Sequence, residues 1–291
     1  MSEVAISVAA VTMVYNEPDF LPLWIKYYSG QVGEDRCYVI DHGSSDGSTE
    51  HLGVNVLRIP RSPMHDEKRA RFISDFASSL LEWHDAVIYS DVDEFLIADP
   101  TDYASLPDFC SRSPYSITNA IGVNLLQTSD EISPLDTSLP VLRQRGWTRF
   151  IYSMCKPLVT KSRTKWVPGF HSSNHPMAYD KLFLFHLHYC DLAISLRRLA
   201  KTRNMPWGDG AQDHYQRWTD EKHEQMSRSL PLLPKADESA FDADGPIFRG
   251  YTDWALKFAT ENPEKRDLFY FQDKVPINEI IRVPERFRGI L

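Results

Sequence analysis

Three carboxylates fall within four residues in Tyr89-Ser90-Asp91-Val92-Asp93-Glu94-Phe95-Leu96, directly after the apolar run Ala86-Val87-Ile88-Tyr89. If this segment stays extended, Asp91 and Asp93 share one face, because strand side chains alternate with a period of two. Two carboxylates held side by side repel each other, and a cation beside them relieves that repulsion. The chemistry expected here is therefore binding of a divalent cation at a strand end, where α/β sheets hold their ligands. The plainer alternative is a solvated strand end leading into a helix, since Asp and Glu are common in a first helical turn.

The elements that must hold this cluster are legible upstream. Val4 to Val14 is rich in β-branched residues and predicts a buried strand. Tyr15-Asn16-Glu17-Pro18-Asp19 is a polar turn, and Phe20 to Tyr28 predicts an amphipathic helix ended by Gly30 and Gly33. Arg36 to Asp41 is a second strand, followed by the small, polar loop His42-Gly43-Ser44-Ser45-Asp46-Gly47-Ser48. Strand, helix and strand joined by short loops make a βαβ unit and a parallel sheet. The loop is no P-loop, having no Gly-Lys-Ser/Thr, and there is no G-x-G-x-x-G dinucleotide fingerprint. Val54 to Ile59 is a third strand. Residues 65–81 predict a helix whose start carries Lys68, Arg69 and Arg71. Cations there oppose the macrodipole and suit a waiting anion, although a solvated basic face is the commoner explanation.

Composition narrows the field. The 291 residues are 42% hydrophobic and 25% charged, as in an ordinary globular protein, and carry a net charge of −8. That balance argues against nucleic acid as a partner. Cys37, Cys110, Cys155 and Cys190 form no C-x-x-C pair, which argues against a zinc ribbon or disulfide scaffold and fits a reducing compartment. The start of the chain has no basic segment of the signal-peptide kind, and no apolar stretch is long enough to cross a bilayer. A cytoplasmic protein is expected, with peripheral membrane contact possible.

Taken together and in order, Tyr15-Asn16-Glu17, Asp41-His42-Gly43-Ser44-Ser45-Asp46-Gly47-Ser48 and Asp91-Val92-Asp93-Glu94-Phe95 resemble a family 2-type glycosyltransferase of the GT-A fold. The Asp-Val-Asp-Glu-Phe form is similar to the family 2-like branch related to the family 92 enzymes. The resemblance covers about the first hundred residues. It implies an α/β fold of Rossmann-like type, with a mostly parallel central sheet flanked by helices and a helical C-terminal region. It also implies transfer of a sugar from a nucleotide-sugar donor, expected to be a UDP-sugar, to a carbohydrate or other acceptor hydroxyl, with inversion. On this reading Tyr15, Asn16 and Glu17 pass beside the nucleotide. Asp41 accepts from the uracil N3–H, with Ser44 and Asp46 next to it. Asp91 contacts the ribose or a metal-bound water, and Asp93 binds Mn²⁺ or Mg²⁺. Such a cation, aided by Arg69 or Arg71, would stabilise the departing diphosphate.

Further along, residues 116–126 predict a strand, and Leu182-Phe183-Leu184-Phe185-His186-Leu187-His188-Tyr189 another, with His186 and His188 on one face. The resemblance extends to Gly169-Phe170-His171 and His188-Tyr189. It implies His188 as a metal ligand beside Asp91 and Asp93, and His171 as a phosphate contact or alternate ligand; His186 is read as structural. Asp130 and Glu131, in the loop after the 116–126 strand, are the expected catalytic base, with Asp136, Asp180 and Asp191 as rivals. Residues 192–202 predict a basic amphipathic helix carrying Arg197, Arg198 and Lys201, and further helices are expected over 213–229 and 251–260. The expected organisation is a nucleotide-binding half (1–100), an acceptor and metal half (101–200) and a mainly helical extension (201–291). The rival functions are a sugar-phosphate nucleotidyltransferase, which lacks its usual Gly-rich basic loop here, and a non-catalytic nucleotide- or carbohydrate-binding relative.

Overall fold

In the computed structural model, which describes residues 6–208, 217–262 and 278–291, the first apolar run forms β1 (Val8–Val14). Beside it lie β2 (Cys37–Asp41), β3 (Asn55–Arg58) and β4 (Ala86–Tyr89), all parallel, in the order β4-β1-β2-β3. The connecting helices are α1 (Leu21–Val32) and α2 (Asp66–Leu80). β1 and β4 are buried almost throughout, as the continuous apolar runs require of strands covered on both faces.

The second half departs from the expected mostly parallel sheet. β6 (Ile117–Leu126) and β8 (Pro157–Thr160) extend the sheet beyond β4 in antiparallel steps, and β7 (Trp147–Phe150) pairs antiparallel to β6. β9 (Tyr179–Tyr189) runs parallel to β6 and antiparallel to β5 (Glu94–Ala98). Among the described residues the sheet is evenly mixed. The cause is topological, because parallel neighbours need a long crossover, usually a full helix. Between β5 and β9 the helices shrink to α3 (Leu106–Arg112) and α4 (Val141–Gln144), and most strand neighbours there run antiparallel. Because β8 reverses and β6 reverses again, β6 and β9 point the same way as β4. Their C-terminal ends therefore reach the same rim.

The C-terminal region is not only helical. It carries α6 (Asp220–Ser229) and α7 (Pro246–Glu261), but also β10 (Lys235–Ala236) and β11 (Ile280–Arg282). β11 pairs with β7 and so joins the main sheet. Of the helix expected over 213–229, residues 213–216 lie outside the described residues.

Aromatic residues of α1 clamp the acidic segment from beneath. Trp24 donates its indole N–H to Ser90 Oγ (2.9 Å), Tyr27 donates to the Leu96 carbonyl (2.6 Å), and Tyr28 donates to the Glu94 carbonyl (3.2 Å). Trp24 and Tyr28 are wholly buried, so each ring contributes apolar burial while its polar tip stays satisfied. Residues 90–96 thereby rest on a rigid base.

Candidate functional site

The segment between β4 and β5 is a turn rather than an extended strand, with the Glu94 amide donating to the Asp91 carbonyl at 2.9 Å. The turn separates the two carboxylates that an extended chain would have aligned, and each enters its own cluster. Asp91 accepts from Tyr89 Oη (2.9 Å), is paired with Arg69 of α2, and lies 3.6 Å from Lys156 Nζ. Lys156 also donates to Glu94 Oε1 at 2.5 Å, and both side chains of that pair are buried. Burial alone would raise the Asp91 pKa, but Arg69 and Lys156 outweigh it and hold the group below the ordinary carboxylate value. Burial pushes Glu94 up against the pull of Lys156.

Asp93 enters the second cluster. Its Oδ2 lies 3.4 Å from His186 Nε2 and 2.9 Å from Arg198 Nη2. Ligand atoms of Asp93, His186 and His188 all lie within 4.8 Å of one another. Burial opposes ionisation of Asp93, yet Arg198 and the two imidazoles keep its pKa well below the usual range. His186 sits on β9 opposite Glu94 of β5 and Asn124 of β6, and its Nδ1 meets Asn124 Oδ1 at 2.8 Å. An amide oxygen only accepts, so Nδ1 carries a proton, and Nε2 faces Asp93. A metal-ligating histidine is held by its other nitrogen in this same way.

One carboxylate and two imidazoles suit Mn²⁺ better than Mg²⁺, which prefers an all-oxygen shell. The group that the fold brings together differs from the expected metal set in two places. His186, read from the sequence as structural, joins Asp93 and His188. Asp91 lies outside the group, its carboxylate being engaged by Arg69, Tyr89 and Lys156. The alternation of β9 places both histidines on one face, which was visible in the sequence; the approach of Asp93 to both was not.

Asp91 with Arg69, and Asp93 with Arg198, line one cleft at the C-terminal ends of β1 and β4. A cavity of about 200 Å³ is lined by Tyr15, Glu17, His42, Asp91, Asp93 and Arg198, among others. A neighbouring cavity of about 260 Å³, between residues 59–65 and α2, shares Met13, His42, Met64 and Arg69 with it. The Arg61 guanidinium lies over the Tyr15 ring, its central carbon 3.8 Å from the centroid, and its Nη1 meets His42 Nδ1 at 3.0 Å. Among the described residues the buried Arg61 Nη2 has no hydrogen-bond partner.

The turn after β1 and the loop after β2 are stitched together. Asn16, in the left-handed region at φ 48°, donates its amide to Ser44 Oγ (2.9 Å) and accepts from the Ser45 amide (2.8 Å). The Glu17 amide donates to Ser48 Oγ (3.1 Å), and Asp46 is an exposed turn residue holding the Ser48 amide and hydroxyl. Asp41 is buried at the end of β2. It accepts from the Ser44 amide (2.7 Å), the Thr49 hydroxyl (3.1 Å) and Arg58. It therefore anchors its own loop and is not among the residues lining the cleft.

Burial raises the Asp41 pKa, but the Ser44 amide, the Ser44 and Thr49 hydroxyls and Arg58 together bring it below the ordinary value. A group with a depressed folded-state pKa stabilises above its unfolded pKa of about 3.9 and loses that contribution as pH falls through the folded value. Asp41→Asn should therefore lower the urea midpoint most near neutral pH. The difference from wild type should close below about pH 4.

The other expected residues are scattered. His171 is buried, with Nδ1 2.6 Å from the Ser153 carbonyl, and burial together with Lys156 pushes its pKa down to about 3. It lies outside the Asp93 group. Arg71 is exposed on α2 and lines neither cavity of the cleft. Glu131 accepts from the Gly146 amide (2.7 Å) and the Thr128 amide (3.1 Å), while Asp130 is exposed; neither lines the cleft. Of the rivals, Asp191 caps α5 (Leu192–Asn204) by accepting from the Ile194 amide, Asp180 is held by Tyr103, and Asp136 caps its own turn at Ser138.

Arg198 and Lys201, read in the sequence only as part of a basic helix, lie one helical turn apart on α5 and both reach the turn after β1. Arg198 pairs with Glu17 Oε1, and Lys201 donates to Glu17 Oε2 (2.6 Å) and to the Asn16 carbonyl (2.8 Å). Their three-residue spacing just after the His-bearing strand is the only signal that could have marked them.

No family model matches the chain. No curated protein matches it either. Forty-nine chains of solved structures do. One is the mannosyltransferase PcManGT from Pyrobaculum calidifontis, in complex with GDP-Man and Mn²⁺. It shares 15% identity, over 45% of this chain and 38% of that one, with a TM-score of 0.28. An overlap of that extent carries no argument about this chain. No helix among the described residues is long and apolar enough to cross a membrane.

Proposed function

We propose that the chain is a divalent-cation-dependent glycosyltransferase that takes a nucleoside diphosphate sugar as donor and a hydroxyl as acceptor. The observation that carries this reading is that Asp93, with His186 and His188 grouped behind it, lines one cleft together with a set of cationic side chains at the C-terminal rim of the parallel strands. Asp93, His186 and His188 would hold Mn²⁺, with Mg²⁺ the weaker choice. When bound, the cation supplies Lewis-acid neutralisation of the diphosphate as it leaves.

The chain's own residues do the rest. Arg69, fixed by Asp91 and Tyr89, presents a positive charge to the cleft without losing its position. Arg61 and Arg198 add two more, so an anionic ligand meets preorganised charge and little side-chain ordering is required. Tyr15 and its stitched turn form the nucleotide side. Recognition of uracil N3–H by Asp41 would require Arg58 or Thr49 to release one carboxylate oxygen. No geometry supports Asp130 or Glu131 as base.

The test is donor turnover. UDP- and GDP-sugars are incubated with the protein and Mn²⁺, and release of nucleoside diphosphate is followed with and without acceptor sugars. Release with Mn²⁺, weaker release with Mg²⁺ and none with EDTA are expected. Metal-independent release would retire the proposal. A requirement for nucleoside triphosphate plus sugar phosphate, with pyrophosphate as product, would replace it by a nucleotidyltransferase.

A further inference from the structure

We propose that Arg198 is a displaceable counter-ion of the cation site. It neutralises Asp93 in the unliganded protein and gives up that carboxylate when a divalent cation binds. The inference rests on reading Asp93, His186 and His188 as a cation site. Asp93 is buried, and its Oδ2 is shared by Arg198 Nη2 at 2.9 Å and His186 Nε2 at 3.4 Å. A cation held by Asp93, His186 and His188 would compete with the guanidinium for the one carboxylate. Two like charges converging on one poorly solvated carboxylate repel strongly.

Arg198 has somewhere to go. Its Nη1 is paired with Glu17, and Lys201 holds the other Glu17 oxygen. Arg198 can therefore keep Glu17 and turn its Nη2 edge into the cleft, towards a diphosphate arriving beside the cation. Only Cys190 and Asp191 separate β9 from α5, so the two imidazoles and the counter-ion sit on adjoining elements. Cation and anion then assist each other. The cation frees Arg198 for the anion, and the anion compensates Arg198 for the lost carboxylate, which is a coupling between two ligands. Arg198 is a positioning residue in this scheme.

The experiment is a Mn²⁺ titration of the full chain without nucleotide, with free Mn²⁺ counted by electron paramagnetic resonance. Arg198→Gln and Arg198→Met should each bind Mn²⁺ about tenfold more tightly than wild type, or about 1.4 kcal/mol. The methionine variant retains an apolar stem for the contact with Phe20, whose ring lies 5.0 Å from the guanidinium, so at least one folded variant is expected. Lys201→Gln removes the same charge from the same helix, but Lys201 holds Glu17 and the Asn16 carbonyl rather than Asp93, so it should tighten binding less than about threefold. Unchanged or weaker binding in folded Arg198 variants would overturn the proposal. Equal tightening by Lys201→Gln would also do so, since the effect would then be a diffuse field. The transferase reading fails separately. Tightening without any sugar transfer would support the counter-ion and reject only the transferase.

Discussion

Asp93→Ala is expected to remove Mn²⁺ binding and to lower donor turnover by about 100-fold or more, the scale seen when one preorganised charge-stabilising group is deleted. The residue touches three other components of the site. It faces His186 Nε2, comes within 4.8 Å of a ring nitrogen of His188, and is paired with Arg198. Alanine therefore deletes the only carboxylate of the donor set and leaves two imidazoles, too weak alone to hold Mn²⁺ against water. Thermal shift gives the independent readout. Mn²⁺ should raise the melting temperature of the wild type, by mass action on the folded state, and leave that of the variant unmoved. An equal Mn²⁺ shift in both proteins would place the cation elsewhere. The fold should survive the change, because Asp93 lies in a turn and its main-chain carbonyl still accepts from the Leu187 amide.

Lys156→Ala should be among the most destabilising single changes in the chain, by about 3–5 kcal/mol. Lys156 is 5% exposed and Glu94 2% exposed, and the pair sits between Asp91 and the β5–β9 ladder. Removing the ammonium leaves one buried carboxylate without its charge partner and weakens the neutralisation of a second. That loss exceeds the net worth of the pair, because both anions stay desolvated. Urea denaturation at neutral pH measures it directly. The double variant Lys156→Met with Glu94→Gln should recover part of the loss. No buried charge is then stranded by the lost ammonium, and the side-chain amide oxygen introduced in place of the Glu94 carboxylate can still accept from the Asp91 amide. A single variant within about 1 kcal/mol of wild type would mean that water reaches the pair.

Much of the first hundred residues was legible in the chain. β1, α1, β2, β3, α2 and β4 fall where apolar periodicity and turn residues put them, because these are local signals. β1 begins at Val8, and residues 1–5, which include the start of the expected strand, lie outside the described residues. The loops that follow β1 and β2 were recognisable from Asn16, Gly43 and Gly47, all of which take positive φ. The helix with Arg198 and Lys201 was also visible as a basic amphipathic element, without a role.

The acidic segment marks where local reading stops. Its residue types announced charge chemistry, and the presence of both histidines on one face of β9 followed from a period of two. Which carboxylate meets which partner did not follow. Asp91 and Asp93 diverge because a turn, packed on Trp24, Tyr27 and Tyr28, replaces the extended strand. His186 becomes a neighbour of Asp93 because β9, far from the turn in sequence, inserts between β5 and β6. Lys156 and Arg198 arrive from the segment before β8 and from α5 for the same reason. A strand carries its own alternation, but its neighbours and their direction are set by which long-range pairings bury the most apolar surface, and that quantity belongs to the whole chain.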